Sequence, residues 1–478
     1  IGERYYQGKG VAQKIKEAVK WFTLAGNQGN LDAQYNLGVF YETGQGVKQS
    51  YQDAVKWYTL AANQGDDDAQ SSLASLYFLG RGVDKNYKEA FRLFKLAAKK
   101  KEAFAQYMLG QMYYKGMYIN QNYKEALKWF ERAGKQGNSE AQYNVALIYQ
   151  NGQGIKQNYQ EAIKWYKLAA NQGNTSAQVN LAVMNFLGQG IDINYNEAFR
   201  LFKLAAKEKE SYAQCMVGQM YHKGMHVKQN YKYALKWFRL AAEQGSAEAQ
   251  YMIGHMYYHG NGVKVDYKET FKWYMLAAEQ EYPDAQYFLG QLYYEGEVGG
   301  EVDYKEAFKW FKLAAEQGVA ESQFIIATMY YKGEYIEQNY DETLKWCKLA
   351  AKQKDQYAQF FMGQLYYEGE VRGEVDYKEA FKWFMLAAEQ GYVEAQAMVG
   401  QMYRLAQGVT ENYEEAIKWY KLAAEQMHPT AAMIIGDIYL HEYDVYLDSN
   451  EAIKWYEIAY KNGIEEAKYR LNDLGIAI

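Results

Sequence analysis

The sequence predicts an all-α solenoid built from tandem helix-turn-helix units, and three observations carry that expectation. One motif recurs at a nearly constant interval, one bulky residue type is confined to a single slot of it, and its apolar positions follow helical spacing twice over.

The interval is 36 residues. Counting an Ala-Gln pair as positions 1 and 2, units start at Ala33, Ala69, Ala105, Ala141, Ala177, Ala213, Ala249, Ala285, Ser322, Ala358, Ala395 and Ala431. Only two steps are 37, and their extra residue falls in the loops YYEGEVGGEVDY and YYEGEVRGEVDY, where a solenoid accommodates insertions. With that residue left uncounted, all eleven tryptophans, from Trp21 to Trp455, occupy position 25. Leu93 and Leu201 fill it in the other two units.

Positions 1 to 11 carry apolar residues at 1, 4 or 5, 8 and 9, as in Ala105, Met108, Leu109, Met112 and Tyr113, which marks a first amphipathic helix. A second runs from position 19 to 30, with Tyr123, Ala126, Leu127, Trp129 and Phe130. Between them stands a GxGV turn such as Gly44-Gln45-Gly46-Val47, and a Gln-Gly at Gly65 or Gly173 ends the second helix. Glycine at position 6, as at Gly38, Gly110, Gly218 and Gly254, costs about 1 kcal/mol inside a helix and implies close approach of a neighbour. Alanine pairs such as Ala61-Ala62 imply the same for the second helix. Each unit leaves an apolar face uncovered, so units must stack on their neighbours.

The expected organisation is one solenoid over residues 1–478: a partial first repeat over 1–32, twelve repeats over 33–466 and a partial repeat over 467–478. Ile1 falls at the fifth position of its unit, which reads as a fragment of a longer array. Units at Ala69 and Ala177 share FLGxGxDxNYxEAFRLFKLAAK at a separation of 108 residues, so segments of three repeats are duplicated together.

With 49% hydrophobic residues the chain can bury a large core, and two prolines with no linker-like stretch mark no boundary. A net charge of -5 and a pI near 5.9, with Lys and Glu interspersed, argue against nucleic acid as a ligand. No apolar run spans a bilayer. Cys215 and Cys347 are 132 residues apart, which excludes a disulfide framework.

The pattern AxxxLGxxYxxGxGVxxxYxxAxxWYxxAAxxG resembles the Sel1-like repeat, a relative of the tetratricopeptide repeat, over essentially the whole chain. That resemblance implies an α/α right-handed superhelix and a role as an adaptor or scaffold. It also implies that positions 3, 7 and 10 of the first helix, set opposite the apolar positions 1, 5, 8, 9 and 12, line a concave groove. In this chain they form an aromatic ladder with amides between: Tyr107, Gln111, Tyr114; Tyr251, His255, Tyr258; Tyr287, Gln291, Tyr294; Phe324, Thr328, Tyr331; and Phe360, Gln364, Tyr367. Tyrosine supplies contact area at low entropic cost, and Gln pairs with an extended backbone. A protein or peptide segment is the expected partner, concentrated between Ala249 and Tyr367. The alternative is a structural component that contacts its neighbours through edges and outer face.

Chemistry is not expected. His222, His255 and His259 offer imidazoles without an orienting carboxylate, so neither metal nor cofactor is called for. Pairs such as Glu161 with Lys164 and Glu306 with Lys309 read as a solvated outer face. Cys215 falls at a groove position and Cys347 at a core position, both without an activating motif. Asn174-Thr175-Ser176 is a lone glycosylation sequon.

Overall fold

Two helices per unit are what the structure shows, repeated from end to end of the described residues. A computed structural model describes residues 1–297, 300–370, 373–441 and 448–476. It contains 27 helices and no strand among them. They divide into two compact units, Ile1–Gln244 and Gly245–Ile478.

Each repeat has a helix A and a helix B, for example Leu31–Thr43 with Tyr51–Asn63 in the first unit and Ala320–Lys332 with Tyr340–Lys352 in the second. Helix A begins two residues before the Ala-Gln pair. The cause is an N-cap at Asn30, Asp66, Asn138 or Asn174, whose side chain accepts the backbone N–H of position 1. Helix B is capped in the same way by Ser50, Asn86, Asn122 or Asp303, one residue before a tyrosine. The turn between them needs the glycines: Gly44 and Gly46 have φ of 77° and 75°, the left-handed region.

Inside a repeat, the glycine at position 6 faces an aromatic ring at position 26 of helix B. A Cβ on Gly110 would lie 2.5 Å from Phe130, and one on Gly290 2.7 Å from Phe311. Real carbon atoms do not approach that closely, so these repeats keep a glycine where others manage an alanine, as at Ala146 over Tyr166. The rings of Phe94, Phe130, Tyr166, Phe202 and Phe238 in the first unit, and of Tyr274, Phe311 and Phe384 in the second, are fully buried. Each contributes about 2 kcal/mol by leaving water.

Between repeats, the tryptophan at position 25 crosses to the previous helix B. A Cβ on Gly26 or Gly134, both at position 30, would meet the next repeat's Trp57 or Trp165 at 3.1 and 3.0 Å. Position 30 is therefore Gly or Ala in every repeat except the one that carries Tyr460, and the alanine pair is the seat of a tryptophan. Most of these indoles are half-buried, and Trp310, Trp346 and Trp419 are buried.

Position 2 is also buried, which the apolar periodicity did not indicate. Gln106 and Gln142 are 3% and 4% exposed. Each donates from Nε2 to the carbonyl at position 30 of the preceding helix B, Gln106 to Ala98 at 3.2 Å and Gln142 to Gly134 at 2.8 Å. Each accepts at Oε1 from a second glutamine at position 32 of its own helix B, Gln136 at 2.8 Å and Gln172 at 2.6 Å. The second unit repeats the arrangement with Gln286, Gln323, Gln359 and Gln396. Position 2 thus clasps the C-terminal ends of consecutive B helices across the A helix between them.

Among the described residues, two clasps lack the second glutamine. The repeats starting at Ala69 and Ala177 carry Lys100 and Glu208 at position 32, and the Oε1 atoms of Gln70 and Gln178 are buried without a hydrogen bond. Restoring the donor with Glu208→Gln should raise stability by about 1 kcal/mol, the net value of one buried hydrogen bond, readable as a shift in the urea midpoint. Conversely, Gly290→Val drives a branched side chain into the Phe311 ring and should cost about 1–3 kcal/mol in the same measurement.

Candidate partner-binding surface

The first helices of adjacent repeats approach each other, Leu31–Thr43 touching Asp67–Leu79 and Ala103–Lys115 touching Ser139–Asn151. Positions 3, 7 and 10 lie along this row. Every ladder residue expected from the sequence is half-buried rather than open to solvent. The face opposite positions 1, 5 and 8 is therefore not bare. Position 12 is the turn glycine rather than a core residue, as at Gly44 and Gly116.

Part of each ladder side chain stabilises the stack. Tyr107 packs on Phe130 with centroids 6.0 Å apart and accepts at its hydroxyl from Gln111 Nε2 at 3.2 Å. Tyr287 and Gln291 repeat this at 2.9 Å against Phe311. Position 10 reaches forward one repeat: Tyr114 donates to Gln153 at 3.0 Å, Tyr294 to Glu334 at 3.0 Å and Tyr367 to Gln407 at 3.1 Å, and Tyr331 lies beside Glu370. Tyr251 sits among Tyr274, Tyr282, Phe288 and His255, while Tyr258 meets Tyr267 edge-on at 5.7 Å. Phe324 and Tyr331 both pack on Phe361, and Phe360 on Phe384 and Tyr392. Gln364 is half-buried within the same row.

The electrostatics of the row differ between the two units. Residues 1–244 hold 32 Lys and Arg against 20 Asp and Glu, a net +12, and residues 245–478 hold 21 against 38, a net -17. The overall -5 conceals this division, so Lys and Glu are not evenly interspersed. In the second unit the ladder phenols lie against carboxylates. Burial and the neighbouring Asp284 push Tyr251 up to about 12, burial and the Glu334 hydrogen bond do the same for Tyr294, and Glu370 leads for Tyr331.

The remaining polar residues settle into structural places. His255 and His259 pair with centroids 4.3 Å apart, and among the described residues no group of three His, Cys, Asp or Glu side chains could hold a metal. Cys215, at a groove position by spacing, is fully buried, as is Cys347, whose thiol burial pushes up and which donates to the Ala358 carbonyl at 3.3 Å. Asn174 is 8% exposed, caps helix A with its oxygen and donates from its amide to Glu140 at 2.8 Å, so the sequon is not presented to solvent. Glu161 with Lys164 and Glu306 with Lys309 form the expected exposed pairs.

The sequence model described as Sel1 repeat matches thirteen successive segments, from residues 1–30 and 31–66 through to 393–428 and 429–464. The chain belongs to the Sel1 repeat family. Among solved structures it is similar to c5321, described as a protective antigen present in uropathogenic Escherichia coli strains displaying an SLR fold, at 28% identity and TM-score 0.71, covering 99% of this chain and 93% of that one. It is also similar to a Sel1 repeat protein from Oxalobacter formigenes at 29% identity and TM-score 0.54, covering 65% and 89% of the two chains. No curated protein matches it. No helix among the described residues is long and apolar enough to cross a membrane.

The raised phenols give the Sel1 array an alkaline liability. A phenol whose folded pKa lies above the unfolded 10 contributes stability that is complete below pH 10 and lost as pH rises through about 12. Circular dichroism on alkaline titration should therefore show unfolding beginning above pH 10, and the Tyr251→Phe, Tyr294→Phe, Tyr331→Phe triple variant should move that onset upward.

Proposed function

We propose that this Sel1 repeat protein binds a protein or peptide segment along the A-helix row of its second unit and catalyses no reaction. Repeat proteins of this kind generally mediate protein–protein interaction. The observation that carries the assignment is the concentration of half-buried aromatics at positions 3 and 10 there: Tyr251 and Tyr258, Tyr287 and Tyr294, Phe324 and Tyr331, Phe360 and Tyr367. The corresponding row of the first unit has Ser71 and Val179 at position 3 and Glu42 and Gln150 at position 10. Stacking alone is compatible with these residues, so the aromatic surface in later repeats exceeds what the fold requires. Side chains of this kind provide rigid anchors, and the amides at Gln291 and Gln364 are suited to a peptide backbone.

Affinity capture from the native source followed by crosslinking mass spectrometry tests the reading. Crosslinks should centre on the A helices between Ala247–His259 and Gln356–Glu368. Replacing Tyr258, Tyr294 and Tyr331 by Ala should weaken the captured complex about a hundredfold, by analogy with interface hot spots of about 2–4 kcal/mol, while Phe at the same positions preserves most of it. Undiminished binding by an Ala variant that retains its far-ultraviolet circular dichroism would refute the assignment.

A further inference from the structure

The B-helix side of the protein carries a feature that recurs every three repeats. Phe91, Phe199 and Phe308 occupy position 23, each half-buried. Over each lies a lysine four residues on: Lys95 at 5.9 Å from the ring centroid, Lys203 at 5.6 Å and Lys312 at 6.0 Å. Against each packs an aromatic from the following repeat's turn: Tyr118 at 5.9 Å, His226 at 6.2 Å and Tyr335 at 6.0 Å.

Those three turn residues stand where Gly46, Gly82, Gly154, Gly190, Gly262 and Gly408 stand in other repeats. They keep the same left-handed backbone, with φ of 68°, 64° and 67°. That conformation is unfavourable for a side chain and free for glycine. Burial does not compensate, since Tyr118 and Tyr335 are 52% and 53% exposed. Where position 23 is Phe271 or Phe381 and the next turn offers no aromatic, position 27 is Met275 or Met385 instead of lysine. Phenylalanine, lysine and strained aromatic therefore occur as a set.

Around Phe91 the set forms an open groove lined by Lys88, Lys95, Leu96, Lys99 and Tyr118. Glu89 is taken by Arg92, and Lys88, Lys95 and Lys99 face solvent. The third set keeps Lys305 and Lys312, with Glu306 taken by Lys309, although its unit is net -17.

We propose that each set is a docking slot for an acidic peptide segment bearing an apolar side chain. The apolar group inserts beside phenylalanine and the strained aromatic, and the flanking carboxylates meet the lysines. Side chains at Lys101 and Met427 also hold the left-handed backbone, and what distinguishes these three positions is an exposed ring set against a phenylalanine that lies under a lysine. The slots lie on the B helices, so this assignment is independent of the A-helix row.

The test is fluorescence anisotropy on the full chain at low ionic strength, with a fluorescein-labelled peptide of three Glu, Leu-Phe and three Glu. The Tyr118→Gly, His226→Gly, Tyr335→Gly variant suits the turn and should keep or raise the thermal midpoint while binding the peptide at least about tenfold more weakly. Adding Lys95→Glu, Lys203→Glu and Lys312→Glu should abolish binding. Unchanged affinity in the glycine variant overturns the proposal. So does equal binding of the same peptide with Lys in place of Glu, or tighter binding of a single-stranded oligonucleotide that the glycine variant also loses.

Discussion

The buried glutamine at position 2 is the constraint on which the array depends. A side-chain amide placed in an apolar interior costs several kcal/mol unless both its ends are hydrogen-bonded. Here its donor is met by one helix B and its acceptor by the next, as at Gln142 between Gly134 and Gln172. Burial alone tolerates a slipped or rotated neighbour. A two-ended amide does not, because any shift leaves a polar atom unpaired in the core. Apolar packing of Trp165 against Gly134 and of Phe130 against Gly110 then supplies the bulk of the stability within the geometry the amides impose.

Much of this was legible in the chain. The 36-residue period, the tryptophan slot and the glycine at position 6 each correspond to one contact: repeat length, the seat on position 30 and the ring at position 26. The Ala-Gln pair marked the register, yet its glutamine gave no hint of burial, because a polar residue one step from an apolar stripe reads as its solvated edge. Its second partner, Gln136 for Gln106, lies 30 residues away, so only the folded hairpin brings them together. The caps at Asn30 and Ser50 likewise set helix starts that apolar spacing leaves undefined.

The candidate surface was legible in identity and not in environment. Positions 3, 7 and 10 do form one row, but a helical wheel treats a helix as having one covered face. In a solenoid helix A touches the A helix on either side as well as B helices, so Tyr294 has a partner in Glu334, forty residues on. The opposite charges of the two units also escaped, since a chain-wide balance averages over the division that the contacts draw at Gln244. The A-helix row of the second unit is consequently aromatic and acidic, while the slot at Phe91 is aromatic and basic.

The two incomplete clasps, at Gln70 and Gln178, carry one further implication. They fall 108 residues apart, at the same place in successive duplicated segments. Opening a repeat there exposes an amide oxygen that was already unpaired, so less hydrogen bonding is surrendered than at any repeat with a full pair. Within residues 1–244 these two repeats are thus the more easily parted, and the repeats of Gln106 and Gln142 between them, each with a full pair, are held more firmly.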